Sequence, residues 1–309
     1  MKCAAFWNHV NLRSGDQIYP CCRFKYPVGK FDGDLGSILH SKTYQDLRHN
    51  SSERKILGCG KCYKEEELGI ESMRQRFNKQ YSTDEVKLKF LEIGFDNICN
   101  LSCKCCSEEF SHTWAQENLN LDKKNSIIVS TQEIKNIPQT INRILFLGGE
   151  PLMTNRHLKF LRSLKYPELV SITYNTNGTF LLSDDGLNLL KKFKNVNFII
   201  SIDAYGTDNE KVRPNSSWQK ILNFINQITE HNFNFSIHTV LYTENYDLLP
   251  NLSSWIHKNR YQWTLNILTY PIHLSINTLD EEQKNKLLSS LKNNKIPNRK
   301  YIENYLNEN

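Results

Sequence analysis

The nine cysteines of this chain fall into two groups, and the tighter group dictates a loop built for metal or redox chemistry. That group is Cys99-Asn-Leu-Ser-Cys103-Lys-Cys105-Cys106, in which Cys99, Cys103 and Cys106 are separated by three and then two residues. On a loop leaving a strand, this spacing lets three thiolates meet three corners of an iron–sulfur cube. Such cubes are normally held by four cysteines. A triad therefore leaves one iron open, which a catalytic metal requires and a structural one avoids. A zinc knot, a disulfide pair and reduced buried thiols compete for the same residues, because short cysteine motifs also match by chance. Cys105 lies outside the triad and reads as a loop thiol without a ligand role.

With 309 residues the chain can form one large domain plus a small one around a sizeable core. Hydrophobic residues make up 39%, and no apolar run approaches the length that spans a bilayer. The first residues, Met-Lys-Cys-Ala-Ala-Phe-Trp-Asn-His, contain no apolar core of signal-peptide length, so a cytoplasmic protein without a membrane partner is expected. Nine cysteines in that compartment point to metal or redox chemistry rather than disulfides. A net charge of +6 allows an acidic partner without demanding nucleic acid.

The second cysteine group lies near the N-terminus: Cys3, the pair Cys21-Cys22, and Cys59-Gly-Lys-Cys62. A C-x2-C turn presents two thiolates to one metal, and Cys3 with one of the pair completes a four-ligand site. Adjacent residues of an extended segment point to opposite faces, so one of Cys21 and Cys22 is expected to ligate. Residue chemistry alone leaves a zinc ribbon and an iron–sulfur cluster equally open. Between these cysteines, Leu35 to Arg48 reads as a short helix capped by Ser37 or Ser41. Glu65 to Gln80 reads as one charged helix, with Arg74 and Arg76 as solvated or salt-bridged surface.

From Val86 short apolar runs alternate with helical patterns, the signature of βα units and a parallel sheet. The expected strands are 88–95, 143–147, 170–175, 197–203, 233–241 and 263–268, with helices at 156–163, 187–193, 218–230 and 248–258. Six such units predict an α/β chain with a partial (β/α)6, TIM-like barrel, whose functional groups sit in loops at the C-terminal ends of the strands. The cysteine triad follows the first strand. Gly148-Gly149-Glu150-Pro151 follows the second, Asn175-Thr-Asn177-Gly the third, and Ser201-Ile-Asp203 the fourth. The period of two places Ser201 and Asp203 on one face. His238 and Tyr242 near the fifth strand's end, and Asn266 on the sixth, are further residues able to line a cavity, with the histidine more simply a satisfied core or surface group.

The C-x3-C-x2-C triad followed by Gly-Gly-Glu-Pro resembles the radical SAM superfamily. That resemblance implies a catalytic [4Fe–4S] cluster on Cys99, Cys103 and Cys106, with S-adenosylmethionine chelating the open iron. One electron from the cluster then cleaves the cofactor to methionine and a 5′-deoxyadenosyl radical, which abstracts hydrogen from substrate. Gly148, Gly149, Glu150 and Pro151 match the family motif that contacts the cofactor's amino group. Asn175, Asn177, Ser201 and Asp203 resemble positions facing its ribose and carboxylate, and Arg213 an arginine that pairs with the carboxylate through a bidentate fork.

Four N-terminal pieces resemble the twitch form of the SPASM auxiliary-cluster module. They are Cys3-Ala-Ala-Phe-Trp, Gly15-Asp-Gln-Ile-Tyr-Pro-Cys-Cys, the stretch from Gly36 to Arg48, and Cys59-Gly-Lys-Cys62-Tyr-Lys-Glu-Glu-Glu. This implies a second [4Fe–4S] cluster on Cys3, Cys21, Cys59 and Cys62, here placed before the barrel. The family leaves four residues between a glycine and the second ligand, whereas five separate Gly15 from Cys21, and Asp16 stands at the expected glycine. Cys22 is the stand-in ligand. The expected domains are 1–80 for this module, 81–275 for the barrel and 276–309 for a helical tail. The implied activity is that of an oxidoreductase- or isomerase-type enzyme served by a flavodoxin or ferredoxin. Its expected substrate is a peptide or protein side chain undergoing epimerisation, cross-linking or oxidation. A sugar or small metabolite comes second and nucleic acid last. The rival from another class is a non-catalytic iron–sulfur electron carrier or scaffold.

Overall fold

A computed structural model of the chain describes residues 2–53, 56–67 and 69–307. The chain forms two compact units. One comprises Met1–Ile98, Ile127–Tyr174 and Asp184–Val196; the other comprises Cys99–Ser126, Asn175–Ser183 and Asn197–Asn309.

In the first unit the strands are β1 (His9–Arg13), β2 (Gln17–Tyr19), β3 (Gly29–Lys30), β4 (Phe90–Ile93), β5 (Arg143–Phe146) and β6 (Ser171–Thr176). They are ordered β3-β2-β1-β4-β5-β6. β4, β5 and β6 pair in parallel, Phe90 opposite Arg143 and Arg143 opposite Ser171. All four residues of β4 are buried, as a strand covered on both faces requires.

β1 also pairs in parallel with β4, His9 opposite Phe90 and Leu12 opposite Ile93. The N-terminal cysteine segment therefore shares a sheet with the first barrel strand, a pairing not foreseen from the sequence. The β1–β2 hairpin turns through Gly15 and Asp16, at φ +74° and +61°. Aspartate tolerates this left-handed conformation better than most residues. Its carboxylate accepts from the Thr131 amide at 3.0 Å and the Thr131 hydroxyl at 2.7 Å. Asp16 thus adopts the left-handed conformation of the turn while its carboxylate ties the hairpin to a segment 115 residues further along the chain.

Two helical expectations need correction. The 35–48 stretch divides into a 3₁₀ turn, Ile38–His40, and a helix, Lys42–Asn50, with Ser41 as the cap accepting from the Tyr44 amide. The single helix over 65–80 is two, Gly60–Glu67 and Met73–Gln80. Gly69 at φ +68° ends the first, and the Ile70 amide returns to the Glu65 carbonyl at 2.8 Å. Ser72 and Gln75 start the second with a reciprocal capping box.

In the second unit β7 (Asn195–Ser201), β8 (Asn234–Leu241) and β9 (Trp263–Ile267) are parallel, in that order. The helix Trp218–Glu230 buries Ile221, Phe224, Ile225 and Ile228, the i, i+3, i+4, i+7 stripe of a helix packed on a sheet. The C-terminal residues are more than a tail. Helices Glu281–Asn293 and Arg299–Asn307 pack Leu287, Leu291, Ile302 and Leu306 into one core with Leu241, Leu265 and Ile267. All six strands expected from Val86 onward are present, and the chain is α/β with parallel β/α strands.

Candidate metal centres

The loop Cys99–Cys106 is held by hydrogen bonds at nearly every step. The Cys99 amide donates to His112 Nδ1 at 3.1 Å, and Thr113 Oγ1 donates to the Cys99 carbonyl at 2.6 Å. Ser111 caps the helix His112–Leu119 and also donates to the Leu101 carbonyl at 2.6 Å. The Ser102 and Lys104 amides donate to the Pro214 and Val212 carbonyls, each at 3.2 Å. Cys99 and Cys103 are buried, and Cys106 is half-buried. At Cys99 the Leu101 amide points at the sulfur, 3.5 Å away, and Asn177 Nδ2 lies 3.9 Å from it. N–H groups aimed at sulfur favour the thiolate that a metal requires. Burial pushes the Cys106 thiol up to about 12, and that of Cys105 well above its ordinary value.

Gly148-Gly149-Glu150-Pro151 follows β5 as an extended turn against the backbone of residues 94–98. Gly148 adopts φ +118°, and a Cβ there would meet the Asp96 carbonyl at 2.8 Å. A Cβ on Gly149 would meet the Ile98 carbonyl at 2.2 Å. Both glycines are therefore dictated by backbone lying against backbone. The Glu150 amide donates to the Ile98 carbonyl at 2.7 Å, and Ile98 leads directly into Cys99. The Glu150 carboxylate, 1% exposed, accepts from the Leu152 amide at 3.0 Å, where Pro151 opens a 3₁₀ turn.

The remaining expected cofactor contacts are placed with more variety. Asn177 Nδ2 donates to Asn100 Oδ1 at 3.0 Å, and its own oxygen accepts from the Thr179 hydroxyl at 2.6 Å. These bonds tie the 177–179 turn to the cysteine loop within the second unit. Ser201 faces Asn175, with Oγ 3.5 Å from Oδ1. Asp203 does not share that face. β7 ends at Ser201, and Asp203 beyond it is fully buried. Its carboxylate accepts from Arg213 Nη1 at 2.7 Å and from the Val240 amide at 2.8 Å. Arg213 is accordingly half of a buried ion pair, with its Nε meeting no hydrogen-bond partner among the described residues.

Asn209 and Asn245, neither singled out in the sequence, complete this network. Asn209 accepts from the Asp203 amide at 3.0 Å, and Asn245 donates to the Asp203 carbonyl at 3.0 Å. His238 meets Thr264 at 2.9 Å and Asn266 at 3.4 Å, and Tyr242 is buried with its hydroxyl on the Val212 carbonyl at 3.3 Å.

The N-terminal cysteines surround one cavity. Cys3, Cys21, Cys59 and Cys62 line it together with Phe6, Phe24, Met73 and Phe77, around about 320 Å³ of empty space including its open mouth. All four cysteines are buried. Cys22 is turned away and hydrogen-bonds the buried Glu92 carboxylate. Burial pushes the thiols of Cys3 and Cys59 up to about 12, and Cys21 well above its ordinary value. Burial holds these four thiols protonated, and a bound cationic centre would favour four thiolates, so the donor set fits an iron–sulfur core. None of the nine cysteines is in a disulfide. Among the described residues no three His, Cys, Asp or Glu side chains converge as ligands of a single metal ion. A cubane carries its sulfurs at separate corners and needs no such convergence.

Arg74 was not foreseen here. It is only 4% exposed and lines this cavity, paired with Glu66 Oε1 at 2.9 Å. The polar helix expected over 65–80 reads it as solvated or salt-bridged surface; the pairing with Glu66 agrees, whereas its burial beside Cys3 and Cys21 depends on residues distant in the chain.

Comparison with known proteins places the chain in a family. Residues 93–256, more than half of the chain, match the radical SAM superfamily, and residues 3–63 match SPASM, the iron–sulfur cluster-binding domain. A tungsten-containing aldehyde ferredoxin oxidoreductase cofactor-modifying protein from Pyrococcus furiosus is 24% identical over 178 residues, 55% of this chain and 48% of that protein. The chain thus aligns with about half the length of this curated relative. Among solved structures, anSMEcpe with bound AdoMet and a Cp18Cys peptide is 14% identical, with a TM-score of 0.45 over 66% of this chain and 58% of that one. SuiB of Streptococcus suis bound to its precursor peptide SuiA is 14% identical, with a TM-score of 0.44 over 82% of this chain and 60% of that one. The chain belongs to the radical SAM superfamily and carries a SPASM domain ahead of its radical SAM region, which implies a [4Fe–4S] cluster, S-adenosylmethionine and auxiliary iron–sulfur binding.

Proposed function

We propose that the chain is a radical SAM enzyme that removes hydrogen from an unactivated C–H of a peptide or protein side chain, with the N-terminal cysteines holding an electron-transferring auxiliary cluster. The observation that carries this reading is the contrast between its two cysteine sets. Four cysteines line one cavity, enough to saturate a cluster, whereas the triad Cys99, Cys103 and Cys106 on the other loop would supply three ligands and leave one position open.

When bound, the open cluster and S-adenosylmethionine supply one-electron reduction of the sulfonium and, through it, hydrogen-atom abstraction. The chain's own residues hold and orient. Leu101 N–H and Asn177 stabilise the Cys99 thiolate. Gly148 to Pro151 offer carbonyls and a buried carboxylate to an ammonium group. Ser201 and Asn175 present polar atoms at strand ends, while Asp203, committed to Arg213, holds that guanidinium in place. Cys3, Cys21, Cys59 and Cys62 leave no ligand position for substrate, so electron transfer is the role left to their cluster. A flavodoxin or ferredoxin is the matching reductant.

Anaerobically purified protein should carry about eight irons per chain. Changing Cys99, Cys103 and Cys106 together to Ala should remove about half of them. Cys21→Ala should also remove about half, and Cys22→Ala none. Reduced protein with S-adenosylmethionine should release 5′-deoxyadenosine, and Cys103→Ala should abolish release. The Cys59→Ala/Cys62→Ala variant should still release it yet form no finished product. Zinc in place of half the iron overturns the auxiliary-cluster assignment alone. A small metabolite or cofactor precursor is the second reading, favoured by the cofactor-modifying Pyrococcus relative. Size-fractionated cell extract separates the two, since only the fraction holding the substrate should accelerate 5′-deoxyadenosine release.

A further inference from the structure

The cavity of the N-terminal cysteines has two charged residues in its lining, Arg23 and Arg74, among otherwise apolar groups and thiols. Each guanidinium is backed by a carboxylate that does not line the cavity. Arg74 meets Glu66 through a fork, with Nε 2.9 Å from Oε1 and Nη2 on Oε2. Arg23 Nη1 lies 3.4 Å from Glu65 Oε1. Glu65 and Glu66 stand three and four residues after Cys62 on the helix Gly60–Glu67, so helical geometry carries both carboxylates on the side of that ligand.

We propose that this double Arg–Glu arrangement sets the reduction potential of the cluster held by Cys3, Cys21, Cys59 and Cys62, biasing it toward accepting an electron. The inference rests on the auxiliary-cluster reading above. A cubane with four thiolates is net negative, and reduction makes it more so. In an apolar wall the reduced form is disfavoured unless positive charge lies close, because net charge, hydrogen bonds to sulfur and exposure set such potentials. Arg23 and Arg74 supply the charge at the wall. Glu66 holds the Arg74 fork and Glu65 meets the Arg23 guanidinium by one contact, and both temper that charge from behind.

The arrangement predicts shifts of opposite sign from its two halves, which a merely structural pair would not give. The test uses the full chain carrying Cys99→Ala, Cys103→Ala and Cys106→Ala, so that only the auxiliary cluster remains, in a potentiometric titration followed by electron paramagnetic resonance. Arg74→Gln should lower the fraction reduced at a fixed potential about tenfold, a shift of about 59 mV for one electron. Glu66→Gln should raise that fraction, and Arg74→Lys should fall between Arg74→Gln and the parent. Equal cluster content with no shift in either variant, or shifts in the same direction, overturns the proposal. If Arg74→Gln fails to retain its cluster, the sign of the Glu66→Gln shift decides: upward supports the proposal and anything else overturns it. A parent that holds no reducible cluster refutes the auxiliary-cluster reading itself, which separates the two failures.

Discussion

Glu92 makes the stability of this chain depend on pH in a direction opposite to most carboxylates. It lies on β4, only 2% exposed, with Oε2 accepting from Asn11 Nδ2 at 2.7 Å and Oε1 3.6 Å from His9 Nε2. Burial pushes its carboxyl from 4.5 up to about 7, against the pull of hydrogen bonds from Cys22 and Asn11 and of the Arg13 and Arg143 charges. His9 Nδ1 is engaged with the Pro20 carbonyl at 2.8 Å, and burial pushes the ring down to about 3. At moderately acidic pH the pair is therefore a neutral acid beside a neutral imidazole rather than a salt bridge.

The folded chain binds the Glu92 proton more tightly than the unfolded chain does. Its contribution is fully present below about 4.5 and is lost as pH rises through about 7. A shift of that size corresponds to about 3 kcal/mol. His9 acts in the other sense: its contribution is present above 6.5 and lost as pH falls toward about 3. Glu92→Gln keeps an oxygen for Asn11 and removes the titration. Urea unfolding of the parent and the variant, followed by circular dichroism under anaerobic conditions, should show the variant gaining about 3 kcal/mol on the parent between about pH 5 and pH 8.5. Parallel pH profiles for the parent and the Glu92→Gln variant would refute the reasoning, because the carboxyl would then be titrating as in water.

Three further outcomes are expected. Gly149→Ala drives a methyl into the Ile98 carbonyl and should displace the backbone leading into Cys99, cutting iron content toward half while sparing the N-terminal cluster. Arg213→Met strands the buried Asp203 carboxylate and should cost about 3–5 kcal/mol, much of it recovered in the Asp203→Asn/Arg213→Met double variant, as measured by urea unfolding. Leu291→Ala empties a fully buried site in the core shared by the C-terminal helices and β9, and should cost about 2–5 kcal/mol in the same assay, where a surface tail would lose almost nothing.

The parts of this protein legible in the sequence are those whose chemistry sits in neighbouring residues. Three cysteines within one loop announce iron–sulfur chemistry, a Gly-Gly-Glu-Pro turn announces backbone packed on backbone, and runs such as Phe-Leu-Glu-Ile announce a buried strand, because each signal is local. What only the tertiary structure decided depends on contacts between residues far apart in the chain. Cys21 and Cys22 are chemically identical, and their difference lies in the walls they meet: Phe24, Met73 and Phe77 around one, Glu92 against the other. The pairing of β1 with β4 joins residues some eighty positions apart, which no periodicity within a short strand encodes. Arg74 reads as surface because its helix is polar, and becomes cavity lining only once Glu66 and the cysteines enclose it. Asp203 likewise passes for a ligand-facing residue by its alternation with Ser201. The strand ends first, and burial beside Arg213, Asn209 and Asn245 then turns its carboxylate inward, since an unpaired charge there would cost more than the pairing does.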